Sequence, residues 1–229
     1  MEREIDLQQI SDGRLYTAGD MVKAGCGGCA GCSLCCEDMG TSIILDPYDI
    51  YQLEKATGAG FEGLMEDKIE LNVVDGIIQP NLKMLGERKQ CAFLGGDGRC
   101  TIHPSRPGFC RMFPLGRIYE ENDFRYFLQV HECPYPAKTK VKLKKWLEIP
   151  ELGRYEAYIK EWHYFLKDMQ KIVKETHSSL IVKNLNMYLL NLFYVEAYDT
   201  APEEEGGQDF YSQFQGRLQE AEKTAGIYR

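Results

Sequence analysis

Five cysteines fall within eleven residues, Cys26, Cys29, Cys32, Cys35 and Cys36, in the segment Cys-Gly-Gly-Cys-Ala-Gly-Cys-Ser-Leu-Cys-Cys. Two-residue gaps allow neighbouring thiolates to converge on one centre, because the backbone can wrap an ion or cluster within a turn. Thiolate-rich sites select zinc, copper(I) or iron–sulfur clusters over hard cations. Four further cysteines, Cys91, Cys100, Cys110 and Cys133, are too widely spaced for one local loop. Hairpins are needed to bring them back onto the first group.

Two registers can be read in the dense segment. Cys26, Cys29, Cys32 and Cys36 match the Cys-x2-Cys-x2-Cys-x3-Cys run of bacterial ferredoxins, with Glu37 in place of the usual proline. Cys29, Cys32, Cys35 and Cys36 instead form a Cys-x2-Cys-x2-Cys-Cys unit. Adjacent Cys35 and Cys36 point in different directions in most backbone conformations, so they need not serve one centre. Eight cysteines would also make two four-thiolate zinc sites. The ferredoxin-like spacing, Cys133-Pro134 and the nearby aromatic residues favour a [4Fe–4S] cluster over zinc. Arg106 and Arg111 flank Cys110 and are expected to neutralise thiolate charge or donate hydrogen bonds to sulfur. His131 and His103 read as structural residues rather than ligands.

The rest of the chain bounds this chemistry. With 229 residues and 44% hydrophobic content, the chain is long enough to bury a core of its own. A net charge of −8 argues against a general nucleic-acid binder. The N-terminal decapeptide has no apolar stretch of signal-peptide type. Lys183, Asn184, Asn186, Asn191 and Glu196 interrupt the most apolar window, Leu180 to Tyr198, making it a poor membrane span. A cytoplasmic location is the expectation, and there clustered cysteines serve as metal or redox groups rather than disulfides. The nine cysteines also leave one thiol outside any all-disulfide scheme.

The elements that must position the cysteines can be sketched. Residues 1–25 read as a lead-in with a turn at Ser11-Asp12-Gly13, and residues 26–40 as an irregular loop. A short strand over residues 41–45 precedes a helix opened by Asp46-Pro47 and ended by Gly58. A short helix is expected near residues 61–69. Asp75-Gly76 marks a hairpin between residues 69–74 and 77–82. Further hairpins are expected at residues 91–102, carrying Cys91 and Cys100 on its two arms, and at residues 115–130. The basic run Lys138 to Lys145 reads as a solvated face. From Pro150 a long helix carries Tyr155, Tyr158, Ile159, Trp162, Phe165 and Met169 at helical spacing, and a second spans about Ser178 to Tyr198. The expected fold is α+β, with an irregular, metal-nucleated cysteine-rich unit, short β-hairpins and C-terminal helices. The expected division is a cysteine-cluster metal-binding domain (1–136), a helical region packed on it (137–200) and a loosely attached acidic tail (201–229) with one short amphipathic helix.

The motif series Cys29-x2-Cys32-x2-Cys35-Cys36, Cys91-Ala-Phe-Leu, Gly98-Arg-Cys100-Thr-Ile-His and Arg106-Pro107-x2-Cys110-Arg111-x2-Pro114 resembles the bacterial YkgJ-type cysteine-cluster family. That family is described as a zinc- or iron-chelating domain with a CxxCxxCC motif. The resemblance runs from about residue 26 to residue 136 and implies a metal-binding domain. Related cysteine motifs occur in flagellin lysine N-methylases that carry an iron–sulfur cluster, but no region here matches a complete methylase. Cys26 is an addition to the family pattern. No catalytic residue is assigned. Three classes of function stay open: a cluster protein supporting electron or group transfer with an unidentified redox or protein partner, a zinc-held interaction module, and a metal-handling protein.

Overall fold

The computed structural model describes residues 6–27, 32–201 and 206–227. Cys29 and the glycines beside it lie outside them. The fold is α+β, with 45% helix and 22% strand. A single helical turn, α1 (Leu7–Ile10), leads into β1 (Ser11–Tyr16) and β2 (Met21–Gly25). The region expected to be a lead-in therefore supplies two strands. Both find partners more than a hundred residues away, with Tyr16 opposite Tyr126 and Met21 opposite Lys142.

The cysteine-dense loop has no regular structure beyond one 3-10 turn at Leu34–Cys36. Residues 41–45 lie alongside the hairpin that follows, with Leu45 N donating to Pro80 O and Leu82 N to Ile43 O. Helix α2 (Pro47–Thr57) begins and ends where its local signals place it. Asp46 accepts from the Asp49 amide (2.9 Å), and Asp49 accepts in return from the Asp46 amide (3.1 Å). Together they satisfy two of the donors that a helix start leaves open. Gly58, at φ +71°, closes the helix in the left-handed region that glycine adopts without strain. Helix α3 (Phe61–Asp67) leads into β3 (Ile69–Val74) and β4 (Ile77–Leu82). These strands pair in register from Ile69↔Leu82 to Val74↔Ile77 about the Asp75-Gly76 turn.

The hairpin expected at residues 91–102 is reduced. Cys91 belongs to β6 (Gln90–Cys91), paired with β5 (Met84–Leu85), and only the Leu94↔Cys100 bridge joins the two expected arms. Helix α4 (Gly108–Met112) carries Cys110. It is followed by β7 (Leu115–Glu120) and β8 (Asp123–Gln129), which form with β1 the three-stranded sheet β1-β8-β7. The basic run forms β9 (Thr139–Lys142), paired with β2, and then α5 (Leu143–Leu147). Lys140, Lys142, Lys144 and Lys145 are exposed on these elements, and Leu143 and Leu147 are fully buried beneath them.

The long helix α6 (Leu152–Glu175) buries one stripe of Tyr155, Tyr158, Ile159, Trp162, Phe165 and Met169. Helix α7 (Ser179–Leu190) continues into one π-helical turn at Asn191–Val195. Its Asn186 ties it to the β3–β4 turn, accepting from Ile78 N (2.6 Å) and donating to Gly76 O (3.0 Å). Helix α8 (Phe210–Ala225) lies in the segment expected to be loosely attached. Phe210, Phe214, Leu218 and Ala221 are nevertheless buried in the core that also holds Tyr158 and Trp162. Phe214 packs edge-on against Tyr158, with ring centroids 4.6 Å apart. One hydrophobic core thus extends from Tyr16 to Ala221.

Candidate metal centre

Eight of the nine cysteines meet at one place. Cys26, Cys32, Cys35, Cys36, Cys91, Cys100, Cys110 and Cys133 all line a single cavity of about 310 Å³. Cys29, the ninth, lies outside the described residues. The elements that bring them together come from across the chain. Cys26 directly follows β2, and Cys32, Cys35 and Cys36 lie on or beside the 3-10 turn. Cys91 ends β6, Cys100 sits at the bridge with Leu94, and Cys110 rides on α4. Cys26 and Cys91 are buried, and Cys32 is exposed. Apolar side chains complete the walls, among them Ile43, Leu82, Phe93, Ile102, Phe113 and Trp146. Trp146 Nε1 donates to Phe113 O (3.0 Å), fixing the indole from α5 beside the loop that follows Cys110.

Among the described residues, no three of the His, Cys, Asp and Glu side chains are already drawn onto one point. The thiols surround a volume instead. Cys35 and Cys36 approach closely, at 3.9 Å between sulfurs. That matches the edge of a four-thiolate tetrahedron, about 3.8 Å for metal–sulfur bonds of about 2.3 Å.

The thiols feel one another's charge. Cys36 donates to Cys35 and holds its pKa down, to about 7, with help from the Arg106 cation. Burial pushes Cys91, Cys100 and Cys110 up, and neighbouring cysteine charges add to this in each case. A wall of thiols pushed toward their neutral forms by burial and mutual repulsion is relieved by a bound cation. Metal binding must then release protons. The donor set therefore fits a thiophilic metal group: every candidate ligand is a soft sulfur, and the surrounding walls are apolar.

The two arginines of the Cys110 segment do different things. Arg106 pairs with Glu148 (3.2 Å) and contacts the His103 ring (2.9 Å to Nδ1). Its charge favours the thiolate forms of Cys35 and Cys100. Arg111 also borders the cavity, but its guanidinium donates to three backbone carbonyls: Arg106 O (2.9 Å), Glu148 O (2.7 Å) and Pro104 O. It clasps the 104–106 loop to the end of the segment that closes at Glu148. The hydrogen bonds that Arg111 makes are thus to backbone carbonyls, whereas the charge of Arg106 bears on the thiols. His103 lines the cavity against Arg106, whereas His131 is exposed and is not part of the wall.

Sequence reasoning did not identify Asp49, which is 3% exposed. Its Oδ1 accepts from Gly108 N (2.8 Å) at the start of the Cys110 helix. The signal was present as Asp46-x-x-Asp49, a capping-box spacing before an apolar run. Asp46 also accepts from Tyr158 Oη (3.0 Å). Burial pushes both carboxyls above the ordinary 3.8, and for Asp49 the Asp46 charge adds to it. A raised folded-state value means that this pair stabilises the fold most in acid and progressively less as pH rises through the raised values. Wild-type protein is therefore expected to lose stability relative to an Asp46→Asn/Asp49→Asn double variant as pH rises above the ordinary carboxylate value. Urea midpoints measured across that pH rise would check this, and a constant difference would contradict it.

Fold and cavity together define a cysteine-cluster, metal-binding domain. Residues 28–134, somewhat under half of the chain, match the family model CxxCxxCC, "Putative zinc- or iron-chelating domain". This is the family that the motif series resembles. Comparison with curated proteins and with solved structures gives no match. Among the described residues, no helix is long and apolar enough to cross a membrane.

Proposed function

We propose that the chain holds a cysteine-ligated iron–sulfur cluster, [4Fe–4S], in this cavity and uses it to support electron or group transfer in the cytoplasm. The single observation that carries this reading is the shape of the thiol site. Eight sulfurs line about 310 Å³ of largely apolar space rather than closing on a point. A four-thiolate zinc site draws its sulfurs to within about 2.3 Å of one atom and needs no such volume. A polynuclear cluster fills space between ligands brought from separate loops. When bound, it would supply a one-electron centre whose potential depends on charge, hydrogen bonds and solvent exposure.

The chain's own residues would then divide the work. Cys32, Cys35, Cys36, Cys91, Cys100 and Cys110 stand as ligand candidates on the cavity wall, with Cys29 from the family motif and Cys26 and Cys133 as further donors. Phe93, Phe113 and Trp146 limit water, and Arg106 offsets thiolate charge. Residues 1–136 form the metal-binding unit, with the helices of residues 137–200 backing it.

The Cys35–Cys36 separation supports a second reading, in which zinc ties the loops into an interaction module. Visible absorption on protein purified without oxygen tests between them. The cluster reading expects a brown sample with a broad visible band that bleaches on reduction and returns on reoxidation. A colourless sample whose folding depends on zinc would overturn it.

A further inference from the structure

The wall that carries Cys110 is anchored from behind by a buried polar chain running to the C-terminal helices. Tyr158 Oη on α6 donates to Asp46 Oδ1 (3.0 Å) and accepts from Tyr48 N (3.1 Å). Asp46 and Asp49 hold each other's amides across the first turn of α2. Asp49 has one remaining oxygen, Oδ1, and that oxygen accepts from Gly108 N (2.8 Å). Cys110 lies two residues further along α4.

The other side of Gly108 is closed as well. A side chain there would run into Tyr155 Oη, which itself accepts from Arg117 Nη2 (3.2 Å). The segment is pressed between a carboxylate that pulls on its amide and a phenol that excludes any Cβ. Helix α4 has five residues, and its N-cap residue Pro107 provides no side-chain cap. Its own hydrogen bonds are too few to fix its orientation, so the position of Cys110 depends on what holds Gly108 at the start of the helix and Arg111 near its end.

We propose that Asp49 is a positioning residue for the metal centre: its carboxylate holds the Gly108 amide and thereby fixes where the Cys110 thiol stands on the cavity wall. The proposal rests on the reading of the cavity as a metal centre, whichever metal occupies it. Asp49 acts through the backbone and touches no ligand atom in this role. Outer hydrogen bonds of this kind orient ligands and commonly govern how tightly a metal is held.

The test follows release of the metal present in anaerobically purified protein to excess EDTA, by elemental analysis after desalting, together with sulfur-to-metal absorption per metal atom. Asp49→Ala is expected to release metal about tenfold faster than wild type, with an altered absorption band. Asp49→Asn keeps an oxygen for Gly108 N and should release metal at close to the wild-type rate. Tyr158→Phe is the stability control, because it weakens the same network without touching the Asp49–Gly108 link. It should lower the unfolding midpoint yet leave release and absorption unchanged.

Equal release from Asp49→Ala and Tyr158→Phe would reduce Asp49 to a general stabiliser and overturn the proposal. So would an Asn variant as fast as the Ala variant. Wild-type protein without metal would instead remove the underlying reading along with the proposal. Should Asp49→Ala fail to fold, hydrogen exchange at the Gly108 amide of the unmutated holoprotein decides. Core-like protection supports the anchor, and exchange at the rate of an exposed amide overturns it.

Discussion

Cys110→Ala is expected to leave the protein with less than about a tenth of the wild-type metal per chain, because the substitution removes a ligand and its binding energy together. Cys110 is singled out by its surroundings. It lines the cavity from a helix held by Asp49, and it shares its electrostatic environment with Cys35, Cys91 and Cys100. No second cysteine lies on α4 to take its place. Cys32→Ala is expected to behave in the same way, whereas Cys26→Ala should be mild if the family register holds. Cys26 is buried on the same wall, so equal metal loss from Cys26→Ala would favour the ferredoxin register instead. Metal analysis of the three purified variants reads the register directly.

Arg111→Ala should destabilise the fold by about 3 kcal/mol or more, the worth of two charge-assisted hydrogen bonds at their lower limit. The guanidinium is 9% exposed and bonded to Pro104, Arg106 and Glu148 carbonyls, which would all be left short of a donor. In a chain of this size that corresponds to a fall of roughly 6–12 °C in unfolding temperature. Arg111→Lys should recover little, because one ammonium cannot reproduce a planar fork reaching three acceptors. Arg106→Ala is the contrasting case. Its side chain pairs with exposed Glu148, so stability should change little, while the potential of the proposed cluster should move as the charge beside Cys35 and Cys100 is lost. A thermal scan paired with a redox titration separates the two arginines. An Arg111→Ala variant as stable as wild type would refute the clasp.

Elements with short-range causes were legible in the chain. Helix α2 was marked by Asp46-Pro47 and Gly58, and the β3–β4 hairpin by Asp75-Gly76, both at positive φ (+50° and +89°). The helical stripe from Tyr155 to Met169 was equally plain. Strands β1 and β2 were not, because their partners are distant (Tyr16↔Tyr126, Met21↔Lys142) and their sequences carry little apolar alternation of their own. Helix α8 was legible as a short amphipathic helix, but the acidic run Glu203 to Glu205 masked its burial through Phe210, Phe214 and Leu218.

At the site, residue type announced the cysteines, and their spacing along the chain showed that hairpins had to return the distant four. The division of labour between Arg106 and Arg111 was hidden, because it is decided by backbone carbonyls that leave no trace in side-chain identity. Asp49 was hidden for a related reason: its partner is an amide fifty-nine positions away.

The most direct measurement is the iron, acid-labile sulfide and zinc content of protein purified without oxygen. A cluster in the thiol cavity requires iron and sulfide in equal amounts, about four of each per chain for a [4Fe–4S] centre. Stoichiometric zinc with neither iron nor sulfide would contradict the account and make the cavity's cysteines a structural scaffold.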